Sequence, residues 1–209
     1  MSEENQQKTT EIPLPERCLA LHEREARRLR RWWMRLTWPN DRLLEEFQLP
    51  IYDRSIRAIL RRAPSFEAAI FTEGFRRLVG DQLVSKPSQL SVWATIAWVA
   101  AGLREESPGV SLGACMGKQK ENSGLPQVSE LRLQRLLSTN TPEEFALNLR
   151  RLLDVVGNKG VSVVSLGDHI KLWWQQYYGE GPERPDRRFS FVLGNDYFKA
   201  LRAYKNLDD

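Results

Sequence analysis

An all-α fold made of two small packed helical bundles, with no substantial sheet, is predicted from three features of the sequence. Apolar residues recur at helical spacing, and no segment alternates long enough to make a core strand. Start signals for helices are well formed, above all Thr141-Pro142-Glu143-Glu144: a capping threonine, proline at the first helical position, and a glutamate placed to complete a capping box. At 209 residues and 41% hydrophobic, the chain can bury a core without disulfide or metal staples. The expected organisation is a polar tail over 1–15, an N-terminal helical part over 16–106, a glycine-containing basic loop over 107–128 and a C-terminal helical part over 129–209.

Glu16–Leu36 reads as a long helix with Leu19, His22, Ala26, Leu29 and Trp33 near one face, stopped by Trp38-Pro39-Asn40-Asp41. Arg42–Phe47 gives a short helical turn. Ser55–Ala63 continues helically through Ile56, Ile59 and Leu60 up to Pro64, which disfavours helix at the residue before it. Ser65 is placed to cap a helix over Phe66–Val79 with Phe66, Ile70 and Leu78 on its apolar side. Ser88–Leu103 is the most hydrophobic segment and belongs at the centre of a bundle.

Ser107–Pro126 reads as a long loop with at most one helical turn. Ser129 opens a helix over Glu130–Leu137. The Thr141 signal opens another that runs to Val156, with Phe145, Leu149, Leu152 and Val156 on one stripe. Val161–Ser165 is a strand-like scrap, after which Ser165 or Asp168 opens a helix through Trp173, Trp174 and Tyr178. A charged, turn-rich insertion at 179–188 precedes a last helix over Phe189–Tyr204, with an interruption expected near Gly194-Asn195.

Several function classes are disfavoured. No apolar run approaches the ~18 residues of a membrane span, and Met1–Pro15 lacks the basic start and apolar stretch of a signal peptide, so a cytoplasmic protein without membrane association is expected. Cys18 and Cys115 are expected to be reduced, buried thiols. The two imidazoles, His22 and His169, belong to no HExxH pattern, and although Asp168-His169 invites an acid–base reading, adjacent helical residues point in different directions. Gly109–Lys118 fails as a phosphate loop: three residues rather than four separate Gly109 from Gly113, and Gln119 follows the lysine. No catalytic group, metal site or cofactor is expected.

Charge points elsewhere. Arginine outnumbers lysine 23 to 8 while the net charge is only +4. Guanidinium is always ionised and grips phosphate through two donors, although a GC-rich genome would produce the same bias. Thirteen arginines against seven acids lie between Arg24 and Arg77, so the N-terminal part carries the stronger field. The basic doublets are Arg30-Arg31, Arg61-Arg62, Arg76-Arg77 and Arg150-Arg151; Arg132 and Arg135 share a helix face, and Lys118 and Lys120 lie on the loop. Any one pair can be a solvated helix face, whereas their recurrence fits a continuous positive track once the helices pack. Trp32-Trp33 and Trp173-Trp174 invite a base-stacking reading, but core or subunit-interface packing is favoured, with one member of each buried and the other turned outward to a protein contact.

The order Ile59-Leu60-Arg61-Arg62-Ala63, Phe75-Arg76-Arg77-Leu78-Val79, Gly109-Val110-Ser111-Leu112-Gly113, Glu130-Leu131-Arg132-Leu133, Leu149-Arg150-Arg151-Leu152-Leu153 and Leu172-Trp173-Trp174 resembles the CasB family, the small subunit of the type I-E CRISPR Cascade complex. The resemblance spans about Ser55 to Tyr178. It implies a non-catalytic, all-helical subunit, present as two copies stacked head to tail beside the crRNA and the other Cascade subunits. It further implies that the subunit holds the opened target, both target strand and displaced strand. Arg61, Arg62, Arg150 and Arg151, then Arg132, are the nucleic-acid contacts carried over by matching motifs. Arg76 and Arg77 belong to another matching element, and Arg135, Lys118 and Lys120 are added from the helix-face and loop readings. Gln175-Gln176 stands where basic character is expected in some relatives, with Arg187 and Arg188 as replacements. The alternative is a purely architectural adaptor that acts through protein contacts.

Overall fold

The computed structural model describes residues 18–37, 45, 48–80, 83, 84, 86–121 and 123–205. Its helices are α1 (Glu23–Thr37), α2 (Arg54–Arg62), α3 (Phe66–Ala69), α4 (Glu73–Val79), α5 (Pro87–Ala100), α6 (Leu112–Gly117), α7 (Glu130–Leu137), α8 (Pro142–Val155), α9 (Val163–Tyr177) and α10 (Phe189–Lys205). Two short strands, β1 (Glu105–Glu106) and β2 (Lys159–Val161), pair in parallel. The all-α expectation holds. The tail and most of the turn expected over Arg42–Phe47 lie outside the described residues.

The centre is α5, as its composition requires. Every residue from Val92 to Ala101 is buried, and the helix packs on α3, α4 and α9. Helix α1 lies across α9 and also meets α2 and α4. Segments from both predicted parts therefore share one hydrophobic core, which runs from Ala20 to Leu201.

All four members of the two tryptophan doublets are buried, which corrects the expectation that one of each turns outward. Three of the four indole N–H groups are satisfied inside: Trp32 Nε1 donates to the Gly74 carbonyl (2.9 Å), Trp33 Nε1 to Ala100 (3.2 Å) and Trp174 Nε1 to Thr95 Oγ1 (3.2 Å). Trp173 stacks face to face on Phe145 at 4.1 Å. Helices lie against both sides of these segments, so neither doublet has to turn a ring outward.

Other local expectations shift for identifiable reasons. Helix α1 begins at Glu23, and Leu19 and His22 are exposed rather than on the buried face. The preceding backbone is instead gathered by the buried Asp168 carboxylate, which accepts N–H bonds from Leu19, Ala20 (2.8 Å) and Leu21 (2.7 Å). The span Phe66–Val79 breaks into α3 and α4 because Thr72 stops the first and caps the second, its Oγ1 accepting from Phe75 N–H.

Ser162, not Ser165 or Asp168, caps α9, accepting from Val164 and Ser165; the strand accordingly ends at Val161, and residues 163–165 are helical. Thr141 caps α8 through Glu144 N–H, as its sequence signal requires. Helix α10 runs unbroken through Gly194-Asn195, anchored by the buried stripe Phe189, Leu193, Tyr197 and Leu201. Cys115 is buried, but Cys18 is only half-buried; neither forms a disulfide.

The presumed loop over Ser107–Pro126 contains α6, capped by Ser111, and then the antiparallel bridge Gln119–Pro126. Gly113 and Gly117 lie one helical turn apart against α10. A Cβ on Gly113 would collide with the Leu193 carbonyl, and one on Gly117 with the Tyr197 carbonyl. The missing side chains admit the chain's own backbone.

Candidate nucleic-acid interface

Helix α2 places Arg54, Arg57 and Arg61 on one side, because offsets of three and four residues return to the same face. Asp53 caps this helix through Ser55 N–H, and Ile56 and Leu60 bury its opposite side. Along the arginine side runs a cleft of about 340 Å³ lined by Leu36, Thr37, Arg54, Arg57, Ala58 and Arg61. Arg61 is also part of a second cleft of about 280 Å³, with Arg104, Arg150, Asp154 and Asn158 among its walls. Five arginines from α2, α8 and the segment after α5 thus line two clefts that have Arg61 in common, against one carboxylate in their linings.

Two of these arginines are fixed by the backbone. Arg57 Nε donates to the Ala101 carbonyl (3.1 Å) and Nη2 to Leu103 (2.9 Å), satisfying acceptors where α5 ends. Burial pulls its pKa below the ordinary guanidinium value, and Arg61 and Arg104 add to the effect. Arg150 lies 4.0 Å over the Trp98 ring and donates from Nη2 to the Arg61 carbonyl (3.0 Å) in the last turn of α2. Burial also lowers its pKa, the nearby Asp154 opposes this, and Arg61 reinforces it. Both groups remain cationic, since a guanidinium is never deprotonated in a protein. Asp154 itself accepts from Asn158 Nδ2 (2.7 Å).

The expected site residues divide. Arg61 and Arg150 meet in the clefts. Arg62 and Arg151 are exposed beside them in sequence but line neither cleft, and Arg151 Nη1 lies 3.5 Å from Asn148 Oδ1. Arg76 and Arg77 occupy the last turn of α4, where Arg77 pairs with Glu73 and stacks at 4.6 Å over the Tyr52 ring, which Arg35 also covers at 4.1 Å. Arg132 and Arg135 are exposed on α7. Lys118 and Lys120 are exposed at the Gln119–Pro126 bridge, with Lys120 N–H donating to Leu125 and Gln127 N–H to the Lys118 carbonyl. Arg30 of the first doublet is buried in an ion pair with Glu106 at 2.9 Å, so it belongs to the core.

Doublets were the wrong pattern for finding Arg54 and Arg57, since neighbours in sequence diverge on a helix while residues three and four apart converge. The spacing of Arg54, Arg57 and Arg61 carried that signal. Arg104 has no local signature; the bond from its N–H to the Asn158 carbonyl (2.7 Å) places its backbone near β2.

Asp168 holds backbone amides, and His169 Nδ1 lies 2.8 Å from the Ser165 carbonyl within a buried environment. Among the described residues, no three His, Cys, Asp or Glu side chains converge as a metal site, and no helix is long and apolar enough to cross a membrane.

A family model described as CRISPR-associated protein Cse2 matches residues 56–198, from α2 into α10. No curated protein and no solved structure matches the chain.

Proposed function

Because the chain belongs to the CRISPR-associated Cse2 family, the small subunits of the type I-E CRISPR Cascade complex, we propose that it grips the backbone of the opened target without reading sequence, stabilising the R-loop. The observation that carries this reading is the convergence of Arg54, Arg57, Arg61, Arg104 and Arg150 on two clefts that have one residue in common. Phosphates are the ligand such a lining favours, because a planar guanidinium stays charged and can donate paired bonds to a tetrahedral anion; Arg57 and Arg150, which already donate to main-chain carbonyls, contribute mainly charge. Exchange of a DNA duplex for a guide–target duplex is close to balanced, so backbone contacts of this kind suffice to tip it.

In this reading the guide RNA supplies sequence, while this subunit supplies charge and no chemistry of its own. Its partners are the other Cascade subunits, a second copy of itself, crRNA and the target DNA with its displaced strand. Arg62, Arg76, Arg77, Arg132, Arg135, Arg151, Lys118 and Lys120 remain proposed contacts beyond the clefts. The test is the lifetime of the R-loop on assembled Cascade carrying Arg61→Ala with Arg104→Ala. The complex should co-purify with its guide RNA, yet release target faster than wild type. An unchanged lifetime with intact assembly would refute the assignment of these residues and favour the architectural alternative.

A further inference from the structure

Away from the arginine clefts, α9 carries a pile of parallel rings to the surface. Phe145 and Trp173 are stacked at 4.1 Å with planes 4° apart, and Trp173 and Tyr177 follow at 5.4 Å and 9°. Tyr177 is 49% exposed. Beside it opens a cleft of about 240 Å³ whose lining includes Trp173, Tyr177, Asn140, Gln176 and Ser190 and has no charged side chain. The Gln176 carbonyl oxygen is taken by Phe189 N–H (2.7 Å), which leaves its amide N–H₂ as a donor.

We propose that this cleft takes one unstacked nucleobase of a single strand, which continues the ring pile on Tyr177 and meets the amides of Asn140 and Gln176 with its edge. The inference rests on the nucleic-acid reading above but uses different residues. A neutral, planar occupant fits an uncharged cleft with aromatic residues in its lining, and amides with hydroxyls match the donors and acceptors of a base edge. Cations stand near its walls in sequence: exposed Arg135 lies two residues before Leu137 on one wall, and exposed Arg188 directly precedes Phe189 on the other. These suit the phosphates on either side of a docked base. Phe145 and Arg150 are both on α8, five residues or about 7.5 Å apart along its axis, so one helix joins this site to the arginine cleft.

The test uses assembled Cascade with 5-bromouracil placed at successive positions of the guide RNA, the target strand or the displaced strand, one strand at a time, followed by irradiation and peptide mapping. A cross-link from one strand to the peptide containing Trp173 and Tyr177 is expected, and the arm that produces it identifies the source of the base. Tyr177→Ala should abolish the link and weaken retention of that strand about 5- to 150-fold, the range for losing one base–aromatic stack. Tyr177→Phe should keep both. Asn140→Ala, at an exposed position, should keep the link but lower its yield less than Tyr177→Ala does. Absence of the link from every strand, or unchanged retention in Tyr177→Ala, overturns the proposal. So does loss of the subunit from the complex without any link, which would assign the cleft to a protein partner. If the link appears while Arg61→Ala with Arg104→Ala has no effect, the arginine assignment fails and this one stands; the reverse result separates them the other way.

Discussion

Arg150 donates from Nη2 to the main-chain oxygen of Arg61 across 3.0 Å. One arginine thus closes the end of the helix that carries the other, and the Arg61 side chain is left to line both clefts. Arg150 therefore has a structural role in holding α2, whereas Arg61 makes its contribution to the clefts with its side chain. Arg150→Ala should lower stability by about 1–3 kcal/mol, through loss of the indole stack and the hydrogen bond. Arg61→Ala keeps the acceptor and should stay within about 0.5 kcal/mol of wild type. Urea midpoints of the two variants check this, and equal losses would contradict it.

Asp168 fastens the segment before α1 to α9 by accepting three consecutive backbone N–H groups. Asp168→Ala should cost about 2–4 kcal/mol, since a buried orphaned donor costs roughly 1–3 kcal/mol and Leu19 can turn to water. Asp168→Asn retains one carbonyl acceptor and should cost less. Denaturant titration of both variants gives the comparison, and hydrogen exchange at Ala20 and Leu21 reports the local loss.

Helices α6 and α10 meet through Gly117, where an added methyl would strike the Tyr197 carbonyl. Gly117→Ala should destabilise by about 1–3 kcal/mol through overpacking. Gly194, inside α10, has open space at the Cβ position, so Gly194→Ala should instead stabilise by about 0.5–1 kcal/mol. Opposite shifts in Tm are expected from two changes that are identical on paper.

Alkali should loosen the same region. Burial pushes the Cys115 thiol up to about 11, partly opposed by Lys118, and burial with Glu130 and Tyr204 pushes the Tyr197 phenol up to about 12. Each group holds its proton more tightly folded than unfolded. Their contribution is therefore complete at neutral pH and lost as pH rises from about 9 to about 12. Urea midpoints should fall across that window, and Tyr197→Phe should flatten the upper part of the fall.

The helices were legible where the signal is local. Thr141-Pro142 opens α8 and the apolar run over Ser88–Leu103 contains α5, as the sequence indicates. What escaped depends on partners distant in sequence: the late start of α1 follows from Asp168, and burial of both tryptophans in each doublet follows from acceptors on α4 and α5 and, for Trp173, from the Phe145 ring on α8. The arginine-lined clefts were half legible. Arg61 and Arg150 stood out as doublet members, but their meeting depends on tertiary packing, and Arg54 and Arg57 required the helical period rather than adjacency.

Salt dependence of R-loop dissociation from assembled Cascade tests the shared arginine lane most directly. Each phosphate contact contributes about 0.7–0.9 to the slope of log affinity against log salt, so Arg61→Ala with Arg104→Ala should make that slope shallower by about 1.4–1.8. An identical slope in variant and wild type, with guide RNA and all subunits retained, would mean that these guanidiniums do not face nucleic acid.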